Sequence, residues 1–165
     1  MFGLSPNFIF ELPGLLIAMT VHEFAHAYVA HRLGDPTPRL QGRLTLNPVA
    51  HIDPMGLLML VFFRFGWGRS VEVNPNYFRN YRKGMLWVSL AGPASNILLG
   101  LATAIVFGLL GRFSPLLLTS SGFRQIMLGL LMYNVYLAVF NLIPIPPLDG
   151  SKILFGILPA KTAYR

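Results

Sequence analysis

Three long apolar segments constrain this chain more than any other feature. They run from about Phe8 to Leu33, from Met85 to Leu110 ("MLWVSLAGPASNILLGLATAIVFGLL") and from Gly122 to Ile143 ("GFRQIMLGLLMYNVYLAVFNLI"). Each approaches or exceeds the ~20 residues that cross a ~30 Å hydrocarbon core. In hydrocarbon every backbone N–H and C=O must be bonded internally, so such segments are expected to be helices. Composition agrees: 54% of residues are hydrophobic and 12% are charged, against roughly 25% charged in soluble domains. At 165 residues the chain reads as one domain, 1–165. Between the first two segments, "GRLTLNP" and "RSVEV" alternate polar with apolar residues and predict short strands. "GLLMLVFF", residues 56 to 63, is too short to span and fits an interfacial or re-entrant piece. Pro13 is expected to start or kink the first helix. The expected fold is therefore an α-helical polytopic membrane protein. It has three spanning helices, a small membrane-associated β element and a proline-broken, re-entrant segment near the C-terminus.

The net charge of +7 could point to nucleic acid, but the basic residues are scattered singly, with no long basic run. Topology accounts for them better. With three spans, residues 32 to 84 and the C-terminus share one face. Of 13 Lys and Arg residues, only Arg112 and Arg124 fall on the other face, leaving eleven against two. By the positive-inside rule the N-terminus is outside and the C-terminus cytoplasmic. The N-terminal "MFGLSPNFIFELPG" lacks a basic n-region and a small-residue cleavage site, so it is not read as a removable signal peptide. There is no cysteine, so any metal must be held by His, Asp or Glu.

Inside the first apolar segment stands "HEFAH", residues 22 to 26. Bare ionisable groups at that depth are costly and need partners or a purpose. His22 and His26 are four residues apart and so share one helix face, where two imidazoles can hold one zinc. Glu23 adjoins them in the HExxH pattern, placed to work as general base on a zinc-bound water. A catalytic zinc needs a third protein ligand and one open position. Six acids are available. Glu11 lies about three helical turns before His22. Asp35 reads as a turn residue, and Asp53 and Glu72 lie in the predicted strand-rich loop. Asp149 sits in "NLIPIPPLDGSKILFGILP", where Pro144, Pro146 and Pro147 forbid a regular helix. Irregular backbone at membrane depth is tolerated when it is buried or lines a cavity. Asp149 is thus a candidate third ligand, or the N-cap of a helix beginning near Gly150. His51 is a spare histidine, with a loop or substrate-contact role favoured over ligation. Asn96, in "AGPASN", and Asn141 are intramembrane amides that could steady an oxyanion or serve packing.

Taken together, the chain resembles the site-2 protease family of intramembrane zinc metalloproteases. "HEFAH" (22–26), "GRLTLNPVAHIDPMG" (42–56), "AGPASN" (91–96) and "NLIPIPPLDG" (141–150) occur in the family's order and cover nearly the whole chain. The resemblance implies that His22, His26 and Asp149 bind one Zn2+, that Glu23 activates water, and that Asn96 matches a family asparagine. It implies substrates that are transmembrane proteins or peptides in a lipid bilayer, and a site that opens to the cytosol of a prokaryotic cell. The "GRLTLNP" region looks like the family's membrane-associated β region, where an extended substrate would add as a strand. The chain resembles the compact form without a PDZ domain. It stops at "KTAYR", where compact relatives continue with another hydrophobic helix, and so reads as a C-terminally shortened core.

The expected function is a zinc-dependent intramembrane endopeptidase that cuts peptide bonds in or near transmembrane helices. The alternative is a non-enzymatic zinc carrier or regulatory scaffold, which would keep His22, His26 and Asp149 but has no need of Glu23. From His22 to Gly34 is 12 residues, about 18 Å of helix. For Asp149 to reach that depth after the third span, the chain has to turn back at its prolines.

Overall fold

The computed structural model describes residues 8–63 and 65–158. Arg64, Lys161 and Arg165 of the charge count, and the segments 1–7 and 159–165, lie outside them. Three helices are long and apolar enough to cross a membrane: α1, Phe8–Arg32; α4, Tyr81–Phe113; and α5, Ser121–Leu142. Between α1 and α4 come two shorter helices, α2, Thr37–Leu40, and α3, Pro54–Phe63; α6, Asp149–Ile157, follows α5. The α4 helix extends beyond the apolar run at both ends, and its first turn is capped by the Asn80 side chain, which accepts from the Lys83 N–H. Pro13 lies inside α1 and Pro93 inside α4.

The long helices α1, α4 and α5 pack on one another, and α6 packs on α4. Small residues let the backbones approach. A Cβ on Gly14 would collide with the α5 backbone at Gly129 and Leu130. The interior is unusually polar: His22, His26, Ser89, Asn96, Thr103, Asn134 and Asp149 are buried alongside Ala18, Ala27, Ala30, Val88 and Ala138. The outside is apolar, with Leu98 67%, Ile105 54% and Val139 62% exposed. This distribution suits a bundle solvated by lipid, where outward apolar groups cost nothing and polar groups must find partners inside.

The predicted β element is absent. The described residues contain no strand; the nearest thing to one is a single antiparallel bridge between Ile52 and Gly68. "GRLTLNP" forms turns leading into a 3-10 turn, Pro48–His51, and "RSVEV" runs without regular structure. The reason is where the backbone donors go. The Val71 N–H bonds Glu23 Oε2, the Asn74 N–H bonds Asp35 Oδ2 and the Val49 N–H bonds Asn47 Oδ1. Side chains, two of them close to α1 or on it, take the groups that a ladder would need. Prolines at 48, 54 and 75 each remove a further donor. No sheet edge is therefore present among the described residues for an extended substrate to join.

The apolar run around residues 56–63 is the α3 helix of 10 residues, about 15 Å long and too short to cross a bilayer. After α5 the chain breaks at Ile143, passes a cis Pro146–Pro147 bond and re-enters helix at Asp149. Gly150 makes the return possible: a Cβ there would strike the Leu142 and Ile143 carbonyls at the end of α5.

Candidate metal centre

His22 and His26 occupy successive turns of one α1 face, and both are buried. The α6 start, held against the end of α5, brings Asp149 beneath them. The three side chains converge on a single point. The Nε2 atoms of His22 and His26 are 3.0 Å apart, and Asp149 Oδ2 lies 3.2 Å from the first and 3.0 Å from the second. Donor atoms of a tetrahedral zinc site with ~2.0–2.1 Å bonds stand about 3.3 Å apart, so the spacing is that of a slightly contracted ligand face.

The proton inventory fits a cation at that point. His22 Nδ1 is 2.6 Å from Asn96 Oδ1, and His26 Nδ1 is 2.7 Å from the Val88 carbonyl. Both partners are acceptors, because the Asn96 amide nitrogen donates to Ala18 O and to Asn134 Oδ1. Each imidazole therefore carries its proton on Nδ1 when neutral and turns a lone pair inward from Nε2. Two lone pairs and a carboxylate meeting within 3.2 Å are a ligand set for a positive ion. Lys152 approaches only the other oxygen, Oδ1, at 3.7 Å, and is half-exposed.

Room for an ion is preserved by Gly92 on α4. A Cβ at that position would fall 2.6 Å from His22 Nε2 and closer still to His26 Nε2, in the space that a metal bonded to both would need. In "AGPASN" the glycine thus has a role of its own. Asn134 of α5 is a further residue that the sequence reading passed over. It is fully buried, accepts from Asn96 and donates to the Leu130 carbonyl. An amide inside an apolar span was its only sequence signal, the same signal that singled out Asn141.

The remaining candidates separate by position. Glu23 lies beside the triad, with Oε2 held by the Val71 N–H at 2.9 Å. It lines two cavities: one of about 270 Å³ shared with His22, His26 and Asp149, and one of about 650 Å³ shared with His22 and apolar side chains. Asn141 lines both cavities and donates to its own helix at Leu137 O. Asn96 is wholly buried behind His22, with its oxygen and both amide hydrogens engaged. His51 is also wholly buried, with Nε2 against the Thr45 carbonyl, and lines neither cavity. Asp35 closes its own turn by accepting from the Thr37 N–H and reaches the Asn74 N–H as well.

Comparison with known proteins points the same way. The model of "Peptidase family M50" matches residues 116–164. YwhC of Bacillus subtilis, provisionally named a zinc metalloprotease, is 40% identical over 88% of this chain and 67% of its own length. Rip2 of Mycolicibacterium smegmatis, provisionally named likewise, is 36% identical over 89% of this chain and 56% of its own length. The zinc metalloprotease MJ0392 of Methanocaldococcus jannaschii is 28% identical over 91% of this chain and 34% of its own. The chain thus spans about two thirds of the Bacillus relative and little more than half of the mycobacterial one. No solved structure matched.

Proposed function

Because the chain belongs to peptidase family M50, we propose that it is a zinc-dependent endopeptidase that cuts its substrates within the membrane. The observation that carries this reading is the convergence of His22, His26 and Asp149 beside Glu23 at the junction of an apolar cavity and a smaller polar one. In this proposal the three residues hold one zinc through His22 Nε2, His26 Nε2 and Asp149 Oδ2. When bound, zinc supplies Lewis acidity, polarising a substrate carbonyl and acidifying water.

The chain's own residues do the rest. Glu23 Oε2 is anchored on the Val71 N–H, which leaves Oε1 to take a proton from the attacking water and pass it to the departing amine. Asn96 acts through His22, holding its Nδ1 proton and so keeping Nε2 free for the metal. That role replaces the oxyanion contact considered for Asn96, since its donors are spent on Ala18 and Asn134. Asn141, which faces both cavities, is the amide placed to meet substrate. The apolar cavity takes the substrate segment, and the charge asymmetry of the loops puts the metal's mouth on the cytoplasmic side.

Purified, zinc-loaded protein should cleave transmembrane peptides in detergent. Glu23→Gln should keep its zinc while the cleavage rate falls by about 10²–10⁴-fold. A protein that binds zinc but cleaves equally with Glu or Gln at this position would overturn the assignment of the base. Zinc binding with no cleavage of any membrane peptide would favour a carrier or scaffold.

A further inference from the structure

Glu11 takes no part in the centre described above, yet shares a cavity with it. Glu11 stands eleven residues before His22 on α1, about 16 Å along the helix, and both line the 650 Å³ cavity. It is half-buried, facing α5. α1 and α5 run in the same direction, and Gly129, eight residues into α5, packs on the Glu11 backbone: a Cβ on Gly129 would lie 3.2 Å from the Glu11 Cα. That places Glu11 about 12 Å below the start of α5. Among the described residues the carboxylate has one hydrogen-bond partner, the Tyr133 hydroxyl, which donates to Oε2 at 3.3 Å. Oε1 has none. Tyr133 also lines the cavity and is braced edge-on by Tyr136.

Attraction to the α1 dipole does not explain an acid here. That benefit in a first turn is severalfold smaller than the cost of a carboxylate at membrane depth. An intramembrane acid that lines a cavity and has one long hydrogen bond is poised for a partner that arrives from outside the chain. We propose that Glu11 and Tyr133 form a polar subsite at the far end of the substrate cavity. The subsite takes a hydrogen-bond-donating side chain of the substrate segment, above all the cation of a lysine or arginine. This rests on the reading of the chain as an intramembrane protease and adds a substrate preference to it. The described cavity walls near Glu11, such as Phe8 and Leu15, offer an arriving cation no alternative side-chain acceptor. The 16 Å separation sets the spacing. An extended segment at ~3.3 Å per residue covers it in about five residues, and a helical one in about eleven.

The test walks one lysine through an otherwise apolar transmembrane peptide, from three to twelve residues on either side of the cut, with leucine as the reference. Cleavage is measured with the full zinc-loaded chain, and affinity with its Glu23→Gln variant, by fluorescence anisotropy in detergent. Lysine near position five or eleven on one side is expected to raise both affinity and kcat/KM about tenfold. Relative to the leucine peptide, Glu11→Gln should cut that gain to about twofold, and Glu11→Leu should abolish it. A flat lysine walk, or a gain that survives Glu11→Leu, overturns the subsite. The walk itself needs no substitution at Glu11, so a poorly folding variant does not decide the matter. A positional gain in affinity with no cleavage by the zinc-loaded chain would keep the subsite and defeat the protease reading. Cleavage of every peptide at one rate would do the reverse.

Discussion

In the helical bundle, polar side chains find their partners on neighbouring helices: His22 on Asn96, Asn96 on Asn134, His26 on the Val88 carbonyl. In the segment joining α1 to α4, backbone groups find theirs on side chains: Asn74 on Asp35, Val71 on Glu23, Val49 on Asn47. The bundle completes its backbone bonding within each helix and has side-chain polarity left over to build a site. The connecting segment holds only short helices and turns, and between them uses side-chain polarity to complete its backbone. The two meet at Glu23, which belongs to the first region by sequence and is held by the second.

Substitutions can break this division of labour, and the largest effect should come from the triad. Asp149→Ala leaves two of the three proposed ligands, so zinc content measured by mass spectrometry should fall from near one per chain to a small fraction of that, with cleavage down at least about 10³-fold. Gly92→Ala replaces neither a proposed ligand nor a hydrogen-bonding side chain, yet its Cβ would press against both Nε2 atoms. It should weaken zinc binding by more than about tenfold while circular dichroism shows an intact helical fold, an effect that simple helix propensity would not produce, since alanine is the better helix former. Asn96→Ala frees the His22 ring to turn. A loss of about 10–100-fold in zinc affinity is expected by competition with a chelator, as for other residues that orient a metal-binding histidine.

The smallest effect on the metal should come from the other region. Asp35→Ala removes the acceptor of the Thr37 and Asn74 N–H groups. Hydrogen exchange in the stretch around residues 70–78 should accelerate by an amount equivalent to about 2 kcal/mol of local stability. Zinc content should stay unchanged. If Asp35→Ala lost zinc as readily as Asn96→Ala, the separation between the two regions would not hold.

The chain also divides by how much of it could be read without coordinates. The long helices were legible because membrane-spanning segments answer to length and hydropathy, both local properties. The structure places their ends within a few residues of the apolar runs, the largest difference being the extra turn at the start of α4. The strands were misread because alternation of polar and apolar residues is a local pattern, whereas strand formation needs a partner. Here the partners of the would-be strand donors are Asp35 and Glu23, 39 and 48 residues away. Asn134 and Gly92 were overlooked because a lone amide or glycine in an apolar span has no signature until its neighbours are known.

The sequence by itself determined three membrane-scale helices, the absence of cysteine ligands, and two histidines on one helix face with a glutamate beside them. These follow from composition and from the 3.6-residue period, which needs no knowledge of the rest of the fold. Only the tertiary structure decided that Asp149, 123 residues after His26 in sequence, stands 3.0 Å from it. The same is true of the Nδ1 protons, which Asn96 and the Val88 carbonyl hold so that both lone pairs face inward, and of the space that Gly92 leaves beside them. A metal site is a coincidence of atoms to within a few tenths of an ångström. Three helices and a proline-broken turn have to pack before it exists.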